Sequence, residues 1–202
     1  MKSGKSIGLS LLLLALTGVA GVAQAAEQAG KCEGQAAIER KERGALIGER
    51  TYRRLSAIHE QMGNEQYGDA LKGLKSLESG NLNDYEMAKV NETFGYVYAA
   101  QGKYSQATPY FQKALDSDAL TNASHFGLMY SLAQLYAGEE KHQQTIDLLL
   151  EYMKFQCDPP PQAYIALAAS YSQLQRYDEA LPNVQKAIAL AGDKAQESWY
   201  LL

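Results

Sequence analysis

Past Arg50 the apolar and small residues recur in a two-part pattern, each part at helical spacing. Gly95-Tyr96-Val97-Tyr98 aligns with Ala133-Gln134-Leu135-Tyr136 and with Ala168-Ala169-Ser170-Tyr171. Each block leads to a second one: Tyr104-Ser105-Gln106-Ala107, His142-Gln143-Gln144-Thr145 and Tyr177-Asp178-Glu179-Ala180. The small residues that open the first blocks lie 38 and then 35 residues apart. The pattern predicts pairs of helices, A then B, starting near Thr51, Ala88, Phe126 and Pro161. The first copy is degenerate: Ile58 stands in the small position, while Tyr67, Ala70 and Leu74 keep the helix B pattern. A fifth copy begins near Gln196, with Trp199 at the aromatic position of helix A and Leu202 at its leucine. Solenoids cover their ends with polar caps, so a chain stopping there is expected to be a piece of a longer repeat protein.

A helix pair recurring about every 34 residues is the tetratricopeptide pattern. The expected fold is therefore all-α, a tetratricopeptide solenoid wound as a right-handed superhelix. Its mechanics explain the small residues. Helices A and B of a pair need small side chains at their crossing, so Gly95 is expected to face Ala107, and Ala168 to face Ala180, with Ala133 in the middle copy. A second small position, where helix B meets the next helix A, holds Ala114 and Ala187 but Tyr152 in the middle copy, which should be looser or rotated. Tyr98, Tyr136 and Tyr171 fill the space between helices, and Tyr67, Tyr104 and Tyr177 start the B helices, with His142 in that place once.

Three local signals refine this pattern. Pro109 and Pro182 share one register inside helix B, where each removes a backbone hydrogen bond and should bend the helix. Asn83 followed by Glu86 reads as a helix start that leads on through Val90 and Tyr98 to Ala100. Cys157-Asp158-Pro159-Pro160-Pro161 is a stiff break before the fourth helix A.

The first 26 residues follow different rules. Lys2 and Lys5 precede an apolar centre, Ser10 to Leu16, and Ala23-Gln24-Ala25 supplies small residues for cleavage. This order reads as a secretory signal peptide, cut after Ala25 or Ala26. An uncleaved anchor is the alternative, because Ile7 to Ala26 reaches the roughly 20 residues a bilayer needs. Lys31 before Cys32 departs from the small-residue pattern of a lipidated cysteine. Residues 27–50 form a polar segment, and 51–202 the array. The expected location is the periplasm, with membrane contact only through a partner or an uncleaved anchor.

Composition narrows the function. The chain of 202 residues is 46% hydrophobic and 21% charged, which suits one short array. Its net charge is −4, and without the two leader lysines 17 basic residues face 23 acidic ones. That balance argues against a nucleic-acid partner, which requires a basic face. His59, His125 and His142 lie far apart, and no metal-ligand, nucleophile-elbow or phosphate-loop motif occurs. No enzyme, metal or cofactor is expected, and Glu139 and Glu140 read as a solvated turn.

Two cysteines in an exported chain raise the question of a disulfide. Cys32 and Cys157 are separated by about 30 Å of array at roughly 10 Å per repeat, and the 18 residues from Cys32 to Arg50 reach about 60 Å when extended. The bridge is reachable and would lay the N-terminal segment along the array. Two unpaired or intermolecular thiols are the other reading.

In this class helix A of each pair lines the concave face. Its outward positions are Lys89, Glu92 and Tyr96, then Tyr130 and Gln134, then Ile165, Ala169 and Ser172. Each tyrosine among them reads equally as a residue partly buried between repeats. Arrays that grip a peptide's terminal carboxylates repeat lysine and asparagine on this face, whereas here those places hold Leu55, His59, Glu92 and Tyr96. A protein or peptide segment with apolar anchors, extended or helical, fits better.

The runs Ala45-Leu46-Ile47-Gly48-Glu49-Arg50-Thr51, Leu82-Asn83-Asp84-Tyr85-Glu86, Gly95-Tyr96-Val97-Tyr98-Ala99-Ala100-Gln101-Gly102 and Glu197-Ser198-Trp199-Tyr200 carry a closer likeness. They resemble exported tetratricopeptide proteins of gram-negative bacteria, often encoded beside TonB, ExbB and ExbD type components. The resemblance implies a periplasmic scaffold that supports TonB-type energy transduction for outer-membrane uptake. Two other readings stay open: an envelope-assembly or peptidoglycan-associated adaptor, and an exported enzyme whose catalytic part lies beyond residue 202.

Overall fold

The computed structural model describes residues 40–41, 44–156 and 158–202. Within them eight α-helices follow one another and no strand occurs. They are α1 (Glu49–Gly63), α2 (Tyr67–Glu78), α3 (Asp84–Ala100), α4 (Tyr104–Asp116), α5 (Asn122–Gly138), α6 (His142–Phe155), α7 (Pro161–Gln173) and α8 (Tyr177–Ala191). Odd-numbered helices are the A members and even-numbered ones the B members. Asn83 and Glu86 form the expected reciprocal cap at the start of α3. The residues near Trp199 depart from expectation: Glu197–Leu201 is a 3-10 turn rather than an α-helix, with Trp199 buried.

Each helix packs against its successor, and the closest pairs are α3 with α4 and α7 with α8. The pairs α5–α6 and α1–α2 are less intimate than these two. The seam between α6 and the next A helix, where Tyr152 stands in place of an alanine, is as close as the seams α2–α3 and α4–α5, so Tyr152 does not loosen it as expected. A helices also meet across repeats, α1 with α3 and α5 with α7, while successive B helices make no comparable contact among the described residues. The layer whose members approach one another is the shorter, inner one, so the A helices line the concave side. Helix α3 is covered on nearly every side and buries Val90, Phe94, Val97 and Ala88. A helix hydrophobic around most of its circumference must be enclosed in this way, whereas α4 and α8 keep one polar outer face.

The A–B crossings decide the spacing of the layers. A Cβ placed on Gly95 would lie 2.2 Å from Cδ1 and Cε1 of the Phe111 ring. The close neighbour is therefore Phe111, not Ala107 as the alignment implied, although Ala107 and Ala114 are fully buried. By sequence register the equivalent positions are Ala133 with Leu149 and Ala168 with Val184, all of them buried. Ala180 and Ala187 are buried as well. Glycine thus stands opposite the phenylalanine, and where the register has alanine the corresponding B position is a smaller residue. The degenerate first copy reverses the arrangement: Ile58 on α1 is large, and Gly73 on α2 makes room, a Cβ there meeting Ile58 Cγ1 at 3.0 Å.

The four A–B turns share one geometry. Glu65, Gly102, Glu140 and Gln175 each adopt a left-handed conformation, with φ of 59°, 70°, 59° and 59°. The next amide, of Gln66, Lys103, Lys141 or Arg176, then donates to the carbonyl five residues back at 2.8–2.9 Å. This is a Schellman closure, which satisfies carbonyls left open at the end of helix A. Tyr67, Tyr104, His142 and Tyr177 are in consequence the first residues of the B helices. Pro109 and Pro182 each sit six residues into a B helix, and neither ends it.

The described chain enters along the edge where the A helices begin. The Gly48 amide donates to Glu86 Oε1 at 2.9 Å, and the Asn83 side-chain amide donates to the Leu46 carbonyl at 3.0 Å. Further back, the Arg40 guanidinium engages the α4–α5 turn. Cys32 and Cys157 lie outside the described residues.

Two predictions follow from these contacts. Gly95→Leu should destabilise the fold by about 1–3 kcal/mol or more through overpacking against Phe111, whereas Gln134→Ala on the exposed face should stay within about 0.5 kcal/mol. Urea unfolding of both variants measures this, and equal midpoints would refute the crossing. Gln175→Gly should stabilise by about 0.5–1 kcal/mol, because glycine occupies the left-handed turn without steric cost. A raised thermal midpoint is the expected result, and Gly102→Ala should shift it the other way.

Candidate functional site: the inner face of the A helices

The inner face is built from equivalent positions on successive A helices. Lys89, Glu92 and Tyr96 come from α3, Tyr130 and Gln134 from α5, and Ile165, Ala169 and Ser172 from α7. Aligned by register, Glu92, Tyr130 and Ile165 form one row across the array, and Tyr96, Gln134 and Ala169 a second. The surface changes along its length from charged, through aromatic and amide, to small and apolar.

At the charged end, Glu92 is not the open carboxylate that its outward position implied. It is buried and ion-paired to Lys89, one turn earlier on the same helix. Burial pushes the Glu92 carboxyl up from its ordinary value, and the Lys89 ammonium works against that shift. Lys89 also faces His59 of α1, whose pKa is lowered by burial first and by the lysine charge second. The first two repeats are thereby joined by a compensated charge set, with little net field to offer an acidic peptide terminus.

The aromatic centre is a pair of wedges. Tyr96 packs its ring edge-to-face on Phe111, 4.9 Å between centroids, and its hydroxyl hydrogen-bonds Ser131 of α5. Burial, then the Glu92 charge, raises its pKa, and the Ser131 bond opposes them. It still leaves 38% of its surface exposed. Tyr130 stacks on Tyr152 of α6 at 5.6 Å and 30° and hydrogen-bonds Gln134. Burial raises both phenols, and that of Tyr152, with the neighbouring Tyr130 adding to it, is pushed up to about 12. Each tyrosine therefore does both things considered for it: it fills the seam between helices and turns one edge outward.

Gln134 is exposed, whereas Ile165, Ala169 and Ser172 are half-buried. The Ser172 hydroxyl has no hydrogen-bond partner among the described residues. Two participants escaped the sequence pattern. Ser131 lies one turn before Gln134 and carries no signal of its own. Tyr152 was visible only as a packing anomaly, yet it forms the floor beneath Tyr130. Among the described residues no three His, Cys, Asp or Glu side chains gather as a metal site, and no helix is long and apolar enough to cross a membrane.

The succession of A–B pairs, with left-handed turns in one register and A helices along the inner side, decides the architecture. The fold is a tetratricopeptide solenoid. The tetratricopeptide repeat family model matches residues 88–119 and 161–194, the second and fourth helix pairs. The unmatched pairs are those with Ile58 and with Tyr152 in positions normally small. Solved structures agree on the fold. MamA 41-end from Desulfovibrio magneticus RS-1 is similar with a TM-score of 0.61 and 17% identity, over 77% of this chain and 82% of that one. The MamA RS-1 ArsTM double mutant gives 0.64 and 18%, over the same shares. YrrB, described as a TPR protein with an unusual peptide-binding site, gives 0.58 and 18%, over 75% of this chain and 72% of that one. No curated protein sequence matches.

The edge of this solenoid carries a pH-sensitive group. Burial, then the charge of Arg40, lowers the His125 pKa to about 4, with Asp118 acting against them, and its Nδ1 is buried without a partner among the described residues. The unfolded chain takes up this proton near pH 6.5, whereas the folded chain does so only near 4. Stability contributed by neutral His125 is thus complete above pH 6.5 and is lost as pH falls toward 4. Replacing it, His125→Gln, should flatten that part of the stability profile. Urea midpoints at several pH values between 7 and 4 check this, and parallel profiles for both proteins would refute it.

Proposed function

We propose that this solenoid is a non-enzymatic interaction scaffold of the periplasm, which holds a protein segment on its inner face to support a TonB-type energy-transduction complex. The observation that carries the reading is the continuous inner surface from Lys89 to Ser172, in which Tyr96, Tyr130 and Gln134 present aromatic edges and an amide beside small residues. Such a surface suits an extended or helical segment with apolar anchors and amide contacts. The Lys89 ammonium is already paired with Glu92 and so is not open to a terminal carboxylate. The peptide-binding site named for YrrB supports the same kind of ligand.

The charged, apolar and small-residue order of residues 1–26 supports export. The partner class rests on the resemblance to exported proteins of TonB gene neighbourhoods. A scaffold role needs no catalytic group, and it places the contribution of the chain in bringing partners together at raised effective concentration.

In-cell photo-crosslinking tests this reading. A photoreactive residue at the exposed Gln134 should capture a TonB, ExbB or ExbD type protein, and one at Lys186 on the outer helix α8 should not. Capture of a murein enzyme or an outer-membrane assembly factor would keep the scaffold and replace the TonB assignment by the envelope-assembly one. Equal adducts from both positions, or none from Gln134, would overturn the inner face as the binding surface.

A further inference from the structure

The contacts of the segment before α1 run in a consistent direction. Starting from Gly48 at the head of α1, the segment reaches the head of α3, where Glu86 accepts from the Gly48 amide and Asn83 donates to the Leu46 carbonyl. The reciprocal cap of α3 thus has a second use as a clasp, since Glu86 Oε2 also accepts from the Asn83 amide at 3.0 Å. The burial of Glu86 opposes its ionisation, but the amides of Asn83 and Gly48 and the Thr51 hydroxyl hold its carboxyl below the ordinary value.

Six residues before Leu46, the segment reaches the head of α5. There Arg40 spends its whole guanidinium on the α4–α5 turn. Nε donates to Asp118 Oδ1 at 2.8 Å, Nη1 to the Leu120 carbonyl and to Asn122 Oδ1 at 2.9 Å, and Nη2 to the Asp118 carbonyl at 3.0 Å. Asn122 returns a bond from Nδ2 to the Arg40 carbonyl at 3.2 Å. Asp118 adopts a left-handed conformation, φ 49°, and offers both its carbonyl and its carboxylate to one guanidinium. The Arg40 side chain is only 9% exposed. A fork of charge-assisted bonds to two carbonyls, a carboxylate and an amide, spanning nearly 80 residues of sequence, is a built anchor and not a surface contact.

We propose that the edge formed by the starts of the A helices is a docking track for the chain's own pre-repeat segment, anchored by Arg40, and that residues 27–39 continue along it to the start of α7. The direction is set by the order of contacts, α1, α3, then α5, as the chain is followed backward. The length suffices: the 13 residues before Arg40 span about 43 Å when extended, against about 10 Å from one A helix to the next. The destination also differs from the heads already served. The start of α3 is capped by Asn83 and that of α5 by Thr121, whereas α7 begins at Pro161 with no side-chain cap.

Cys32 and Cys157 are natural reporters of the track, one eight residues before Arg40 and the other four before Pro161. The purified chain, reduced and then exposed to glutathione disulfide under native conditions, measures their approach. One thiolate attacks glutathione disulfide and releases a glutathione thiol. The second thiolate attacks the mixed disulfide and releases another, so two electrons pass to glutathione and both cysteine protons end on its thiols. The expected product is a monomer lighter by two hydrogens, with Cys32 and Cys157 peptides linked. Formation should slow at least tenfold in Arg40→Ala and in Asp118→Asn, each checked for unchanged helical circular dichroism. Hydrogen exchange gives an independent readout: Arg40→Ala should speed exchange at residues 118–122 and leave the α7–α8 turn unchanged. Glutathione adducts on both thiols without a link, links only between chains, or equal rates in the variants would overturn the track. Unchanged exchange at residues 118–122 would overturn the anchor, even if the solenoid and its inner face stood.

Discussion

The contact on which the array depends is the crossing of helix A over helix B, where the pairs trade volume between facing side chains. Gly95 yields to Phe111 and Gly73 yields to Ile58, while in the register of Gly95 and Phe111 the other copies have Ala133 with Leu149 and Ala168 with Val184, all buried. Interiors are packed to crystal-like density, so the sum of the two volumes is held while the share of each partner is free to vary. The pair spacing that results sets how the next A helix is received. Tyr152 on α6, a large side chain where the other copies have alanine, is accommodated by stacking on Tyr130 of α5.

The inner face inherits its chemistry from these packing solutions. Tyr96 can reach the surface because glycine next to it lets its ring lie on Phe111. Tyr130 is held flat because Tyr152 occupies the seam behind it. The Lys89–Glu92 pair, enclosed between α1 and α3, costs desolvation that each charge offsets for the other, and what remains outward is amide and aromatic edge. A surface of that kind holds a segment by shape and by apolar contact more than by charge. It is also stiff, because the side chains that would meet a ligand are themselves wedged between helices.

A second layer of organisation runs along the edge of the array. The caps of α3 and α5 do more than satisfy helix ends, since Glu86 and Asn83 hold the incoming chain and the Asp118–Asn122 turn holds Arg40. Contacts between repeats of a solenoid are otherwise confined to nearest neighbours. A segment that touches the heads of α3 and α5 in turn ties the first repeat to the third. His125, neutral beside Arg40, belongs to this edge and makes it sensitive to acid.

By itself the sequence determined the helix pairs, their register, the turn positions and the cap at Asn83, because each rests on local preference and on a period repeated several times along the chain. It also marked Ile58 and Tyr152 as exceptional, since departures from a repeat are visible without a structure. It assigned residues to the inner face by register but took Glu92 as open, because whether a charge is open or buried depends on the neighbouring helix. Only the tertiary structure decided that Phe111 rather than Ala107 faces Gly95, that Gly73 makes room for Ile58, and that Ser131 meets Tyr96. Arg40 is the clearest case. Nothing in its sequence neighbourhood distinguishes it from Arg50 or Arg53, and its role arises from bringing residue 40 against a turn near residue 120. Contacts across such separations have no period, and they exist only once the array has set the distance between its helices.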